Sequence, residues 1–134
     1  MRIRPAVAIL LLSACTSLVP PAPPDIHSTW RLVDGTVDGT ALAFPADASV
    51  TITFDADWVS GWCVCGTYGA PLERDGTGIV IGQLFPSVND CPIQAEGAGS
   101  AYLDGLARAT GAEVRGGRLF VSGQSVELIF VAAG

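Results

Sequence analysis

Three thiols lie close enough in the sequence to raise questions of chemistry: Cys63, Cys65 and Cys91. A Cys-x-Cys pair with a distant third cysteine has three readings. Two of the thiols can form one disulfide and leave one over. All three thiolates can hold copper(I) or zinc, which favour sulfur ligands. The leftover thiol can act in redox chemistry if its pKa is lowered. The redox use is disfavoured because no basic residue lies nearby in the sequence. The metal use lacks a fourth ligand, since the single histidine, His27, lies far away in the chain. No metal and no cofactor is therefore expected. No Ser/His/Asp set can be assembled around His27, and no glycine-rich phosphate loop leads into a helix. Asp55 and Asp57 could resemble a carboxylate pair for acid–base work or calcium. A turn is the simpler use, because Asp favours turns and no oxygen-rich loop follows. Trp58 and Trp62 share a strand face by period two, with Tyr68 nearby. They could form an aromatic platform for a sugar or peptide, although core packing is the expected role.

A fourth cysteine has a different context. Arg2 and Arg4 precede a short apolar stretch, Ala6 to Leu12, and the run Leu12-Ser13-Ala14-Cys15 follows. A basic start, an apolar core and small residues before a cut define a secretory signal. The stretch is too short to span a bilayer as a helix. Its ending resembles the bacterial lipobox, in which the cysteine thiol is lipidated and becomes the new N-terminus. Residues 1–14 are thus expected to be a lipoprotein signal peptide, and Cys15 the lipidation site. Residues 15–27 follow as a tether that includes Pro20-Pro21-Ala22-Pro23-Pro24. Proline lacks the amide hydrogen and fixes its own φ, so this segment should extend as a semi-rigid spacer up to roughly 35 Å long. The expected location is extracytoplasmic, on the periplasmic side or the cell surface, with the membrane engaged through lipid.

Residues 28–134 are long enough for one domain. After loss of the signal the chain keeps five basic and thirteen acidic residues, a net charge of −8, and it has no lysine. That balance argues against nucleic acid and against anionic headgroups, which need basic patches.

The thiols and aromatics must be held by strands. Thr29 to Val33 reads as a first strand ending at Asp34-Gly35, with a second turn at Asp38-Gly39. Ser49 to Phe54 alternates, with Val50, Ile52 and Phe54 inward. Asp55-Ala56-Asp57 turns into one irregular strand from Trp58 to Tyr68, whose glycines suggest a bulge or close backbone contacts. Asp75 to Gly78 turns into Ile79 to Leu84. From Gln94 to Ala109 the period changes to helical, with Ala95, Ala98, Tyr102, Leu103 and Leu106 on one face and Gly111 as its stop. Arg118 to Ser122 and Ser125 to Val131 form a closing hairpin through Gly123-Gln124. The expected fold class is α+β: a mostly antiparallel, curled or barrel-like sheet with one packed helix.

This order of elements resembles the META domain family, which includes the HslJ-type heat-shock lipoproteins. The matching pieces are Trp30 and Leu32, Val50 to Asp55, Val59-Ser60-Gly61, Cys65 through Tyr68 and Gly69, Ile79 to Leu84, Cys91-Pro92, Tyr102-Leu103 with Leu106, and Leu119 to Phe130. The family's Gly-Cys-Asn pattern is replaced by Val64-Cys65-Gly66, and Cys63 is an addition. The resemblance implies a small exported or lipid-anchored domain linked to stress tolerance, with no catalytic set to carry over. It also implies a Cys65–Cys91 disulfide; Cys63, two residues away on the same strand face, makes Cys63–Cys91 a rival. A loop of about 26 residues closed in this way contributes about 3.5 kcal/mol in the chain-entropy account. The expected function is a non-enzymatic binding or stress-protection module, partnered by another envelope protein or an exposed peptide. The alternatives are a thiol-redox or metal-thiolate protein using Cys63, Cys65 and Cys91, and a carrier of apolar ligands.

Overall fold

The computed structural model describes residues 26–64, 66–88 and 93–133. In chain order the elements are β1 (Thr29–Val37), β2 (Thr40–Ala41), β3 (Thr51–Phe54), β4 (Trp58–Trp62), β5 (Gly66–Asp75), β6 (Gly78–Ile81), β7 (Phe85–Val88), α1 (Ile93–Ala107), β8 (Ala109–Arg115), β9 (Arg118–Gly123) and β10 (Val126–Ala132). Strands β10, β9, β8, β6, β5, β4, β3 and β1 are neighbours in that order, and β1 returns to β10. The sheet therefore closes into an eight-stranded antiparallel barrel, which removes most unpaired edges. Strand β2 extends the sheet beside β1, and β7 pairs with β5 beyond the end of β6. With one helix on a closed barrel the fold is mostly β, so the expected α+β class fits it loosely.

The alternation of Ile52 and Phe54 in β3 places both against the barrel axis. That axis is filled by side chains. Tyr102, Phe54, Phe130, Ile52, Leu106, Leu119, Leu128, Val59 and Val121 are all fully buried. An axis packed this way holds no lumen along these residues, which weighs against the apolar-ligand carrier.

Each end of the barrel has its own stopper. Helix α1 packs against β1 and β10 at one end. It can approach because residue 105 is glycine. A Cβ there would lie 2.7 Å from Val37 Cγ2. At the other end Ile26 is buried, and its carbonyl accepts a hydrogen bond from Trp30 Nε1 at 3.1 Å. Ile26 and His27, the last two residues of the expected tether, are thus packed onto the barrel. His27 Nε2 also lies 2.8 Å from Arg74 Nη1.

Several boundaries differ from the sequence expectations. Strand β1 does not end at Asp34-Gly35. It runs on to Val37 against β10, and the register shift between Leu32 and Asp34 takes up Val33 as a bulge. The segment from Trp58 to Tyr68 is two strands, β4 and β5, paired with each other. The chain turns between them where Cys63 N donates to Gly66 O, with Val64 at a φ of 53°. A β-branched residue at positive φ is rare, so nothing in the sequence marks this turn. Helix α1 ends at Ala107 rather than Ala109. Gly111 is not its stop but lies in β8, paired with Ser122 of β9. The closing hairpin is present, and its two-residue turn is Gln124-Ser125, with Ser125 at a φ of 60°.

Candidate functional site: an aromatic outer face

Strand β4 reads Trp-Val-Ser-Gly-Trp, and alternation sends its residues to opposite faces. Val59 is fully buried, so Trp58, Ser60 and Trp62 face outward. On β5 the inward residues are Tyr68, Ala70 and Leu72, and the outward ones are Thr67, Gly69 and Pro71. The register pairs Trp58 with Pro71, Ser60 with Gly69 and Trp62 with Thr67. On its other side Gly69 pairs with Phe85 of β7. Directly paired residues project from the same face, so Trp58, Trp62 and Phe85 share one outer surface.

Exposure supports this assignment. Trp58 is 38% exposed, Trp62 41% and Phe85 57%. The Trp58 indole lies across Gly69: a Cβ at residue 69 would sit 2.8 Å from its Cζ2 and 3.0 Å from its Nε1. The missing side chain lets the indole rest over the backbone there, and the residue stays partly exposed. Core packing, the expected role of the two tryptophans, therefore does not hold. They do share a strand face, but it is the outer one, because Val59 takes the inward position. Tyr68 is not on this surface. Phe85, which the sequence reading passed over, takes its place. Its signal was an isolated aromatic in Gln83-Leu84-Phe85-Pro86, a stretch with no alternation to orient it.

Tyr68 instead belongs to a buried polar cluster beneath the helix. Its hydroxyl donates to the Thr51 carbonyl at 2.7 Å and lies 2.7 Å from the Tyr102 hydroxyl. The two rings meet edge to face with centroids 5.8 Å apart, and Tyr102 meets Phe130 in the same way. Cys63 is buried beside them and unbridged in this structure. Its thiol points to the Gly99 carbonyl at 3.9 Å. Burial pushes the Cys63 pKa from its ordinary 9.0 up to about 11. It also pushes the Tyr68 and Tyr102 hydroxyls well up. These groups stay protonated at neutral pH. Cys63 is therefore a poor nucleophile and a poor thiolate ligand.

Cys15, Cys65 and Cys91 lie outside the described residues, and so do the signal peptide and the tether up to residue 25. Asp55 and Asp57 sit in the turn between β3 and β4, where Asp55 N donates to Trp58 O at 2.8 Å. Among the described residues no group of three or more His, Cys, Asp or Glu side chains could hold a metal ion. A cleft of about 700 Å³ opens beside Ile26 and His27, bounded by Arg74, Thr77 and Glu113. It is broad and half open. At the helix end, Arg108 bonds both oxygens of Asp38 at 2.9 and 3.0 Å, and also Asp104 at 3.0 Å.

Comparison with known proteins gives a family and a fold. The family model described as META domain matches residues 24–134. No curated protein matches the chain. An NMR structure of a protein from Burkholderia xenovorans is 20% identical, with 99% of each chain covered and a TM-score of 0.63. A crystal structure of a DUF4847 family protein from Bacteroides vulgatus is 15% identical and has a TM-score of 0.60. That likeness covers 79% of this chain and 92% of the other. At such identities the likeness is one of fold alone.

Proposed function

The chain belongs to the META domain family, and from that premise we propose that it is a lipid-anchored, extracytoplasmic binding module. Its working surface is the outer face of β4, β5 and β7, and it catalyses no reaction. The observation that carries this reading is the exposure of Trp58, Trp62 and Phe85 together on one face. Single exposed apolar residues are ordinary, but three exposed aromatic residues gathered on one face mark an interaction surface. Tryptophan and tyrosine also supply much of the energy of binding surfaces generally. The barrel beneath is closed, and its strand register alone sets the three rings on one face.

The anchor rests on Cys15 and the sequence before it. Among the described residues no helix is long and apolar enough to cross a membrane, and a lipidated Cys15 would supply the attachment. Two or more acyl chains make such an anchor stable. The raised pKa of Cys63 weighs against a thiol-redox role for that residue.

Two measurements test this reading. Metabolic labelling with an alkyne fatty acid should mark the chain, and Cys15→Ser should abolish the label and release the protein from membranes. Mixed afterwards with isolated, lipid-extracted envelope fragments, the released Cys15→Ser chain should sediment with them through its outer face. Adding Trp58→Ala and Trp62→Ala should then leave it in the supernatant. Sedimentation unchanged by the tryptophan substitutions contradicts the reading.

A further inference from the structure

Resting on that reading of the aromatic face, we infer that its ligand is an uncharged glycan strand. The strand residues that carry the aromatic rings are uncharged, on a strongly acidic molecule. No charged residue occurs from Trp58 to Leu72 or from Gly76 to Val88, although the chain from Cys15 onward carries a net charge of −8. A polyanion would be repelled by the whole, and the carboxylates beside the patch, Asp57 and Glu73, stand at its margin rather than among the rings. That distribution favours a neutral ligand.

The shape of the patch narrows the chemistry further. The Trp58 indole passes over the Gly69 backbone, with Cζ2, Nε1 and Cε2 nearest to it, and the residue is 38% exposed. A flat, exposed ring on a sheet matches the flat carbon–hydrogen face of a pyranose. A proline-rich peptide instead docks in a groove between aromatic walls. Ser60 and Thr67 lie on the same face between and beside the rings, and their hydroxyls can exchange hydrogen bonds with sugar hydroxyls. Glu73, next in the outward row after Pro71 and paired with Val80, places a carboxylate acceptor at the margin. Trp58 and Trp62 stand four strand residues apart, about 13 Å along β4. That span suits an oligosaccharide rather than a single sugar. Few polar groups around aromatic surface is the usual make-up of a small-molecule site.

The test is a fluorescence titration of the full chain in mild detergent. The probes are chitohexaose and cellohexaose, which are uncharged β-linked hexasaccharides. Trp30 is buried against Ile26, so a change in emission reports on Trp58 and Trp62. A saturable blue shift with either sugar is expected. Trp62→Ala or Phe85→Ala should weaken it at least tenfold with the circular dichroism spectrum unchanged. Polygalacturonate, an anionic glycan, should give no shift. The inference is overturned if neither hexasaccharide shifts the emission at millimolar concentration, or if a proline-rich peptide does so instead. Tryptophan-dependent sedimentation with envelope fragments, combined with no response to either sugar, would sink the glycan and leave the binding face standing. Sedimentation indifferent to the tryptophans would sink both.

Discussion

The hydroxyls of Tyr68 and Tyr102 meet at 2.7 Å and join strand β5 to helix α1. The Tyr68 proton is committed to the Thr51 carbonyl, so Tyr102 must be the donor between the two. The Thr51 carbonyl is available because Trp62 N bonds the Thr51 hydroxyl at 3.0 Å. A side-chain hydroxyl is thereby inserted where β3 meets β4, and the helix is pinned to that junction.

This direction of donation makes the two tyrosines unequal. Tyr68→Phe strands two buried groups, the Thr51 carbonyl and the Tyr102 hydroxyl, and should cost about 2–3 kcal/mol. Tyr102→Phe strands only a second lone pair on Tyr68 and should cost about 1 kcal/mol. Urea unfolding of both variants measures the difference. Equal costs would contradict the assigned direction.

The same cluster sets the alkaline limit of stability. Cys63, Tyr68 and Tyr102 all have pKa values raised by burial. For such acids the folded state holds its protons longer than the unfolded chain. Stability is therefore fully present below the unfolded pKa and is lost as pH rises toward the folded one. The melting temperature should be flat from pH 6 to about 8, fall as the unfolded thiol ionises near 9, and fall further above about 10 as unfolded tyrosines ionise. Cys63→Ala should remove the first part of the fall, between 9.0 and about 11. An unchanged onset in that variant would count against the buried thiol.

Two glycines of the helix should respond oppositely to alanine. At Gly105 a Cβ meets Val37 at 2.7 Å, so Gly105→Ala should push the helix off the barrel end at a cost of about 1–3 kcal/mol. At Gly97 a Cβ meets nothing within 4 Å. Gly97→Ala should stabilise by about 0.5–1 kcal/mol, because glycine weakens a helix interior. Thermal melts of the two variants give the signs directly.

The parts of the fold legible in the sequence are those where local pattern and final environment agree. Ile52 and Phe54 alternate because one face of β3 is core, and Asp38-Gly39 turns because both residues adopt positive φ. Tyr102 and Leu106 showed their helical spacing and are fully buried. Strand β8 was hidden because Ala109-Thr110-Gly111-Ala112 has little intrinsic strand preference. It becomes a strand through its ladder with β9, a tertiary effect. The β4–β5 turn was hidden because Val64 is an unfavourable residue for it.

The candidate site was half legible for a related reason. Period two correctly puts Trp58 and Trp62 on one face, but it does not say which face is inside. That is decided by Val59 packing against the axis, where Phe54 is its paired neighbour on β3. Phe85 joins the face only through the long-range pairing of β7 with β5, which no local pattern announces.

The central claim is that this protein meets its partner through the face between Trp58 and Trp62. The most direct measurement is site-specific photo-crosslinking in intact envelopes. A photoreactive residue replaces Ser60, which lies between the two indoles, and in a second protein it replaces Glu127, exposed on β10 away from the patch. The account predicts an adduct from position 60 that disappears with Trp62→Ala, and none from position 127. Adducts of equal yield from both positions, or from 127 alone, would contradict it.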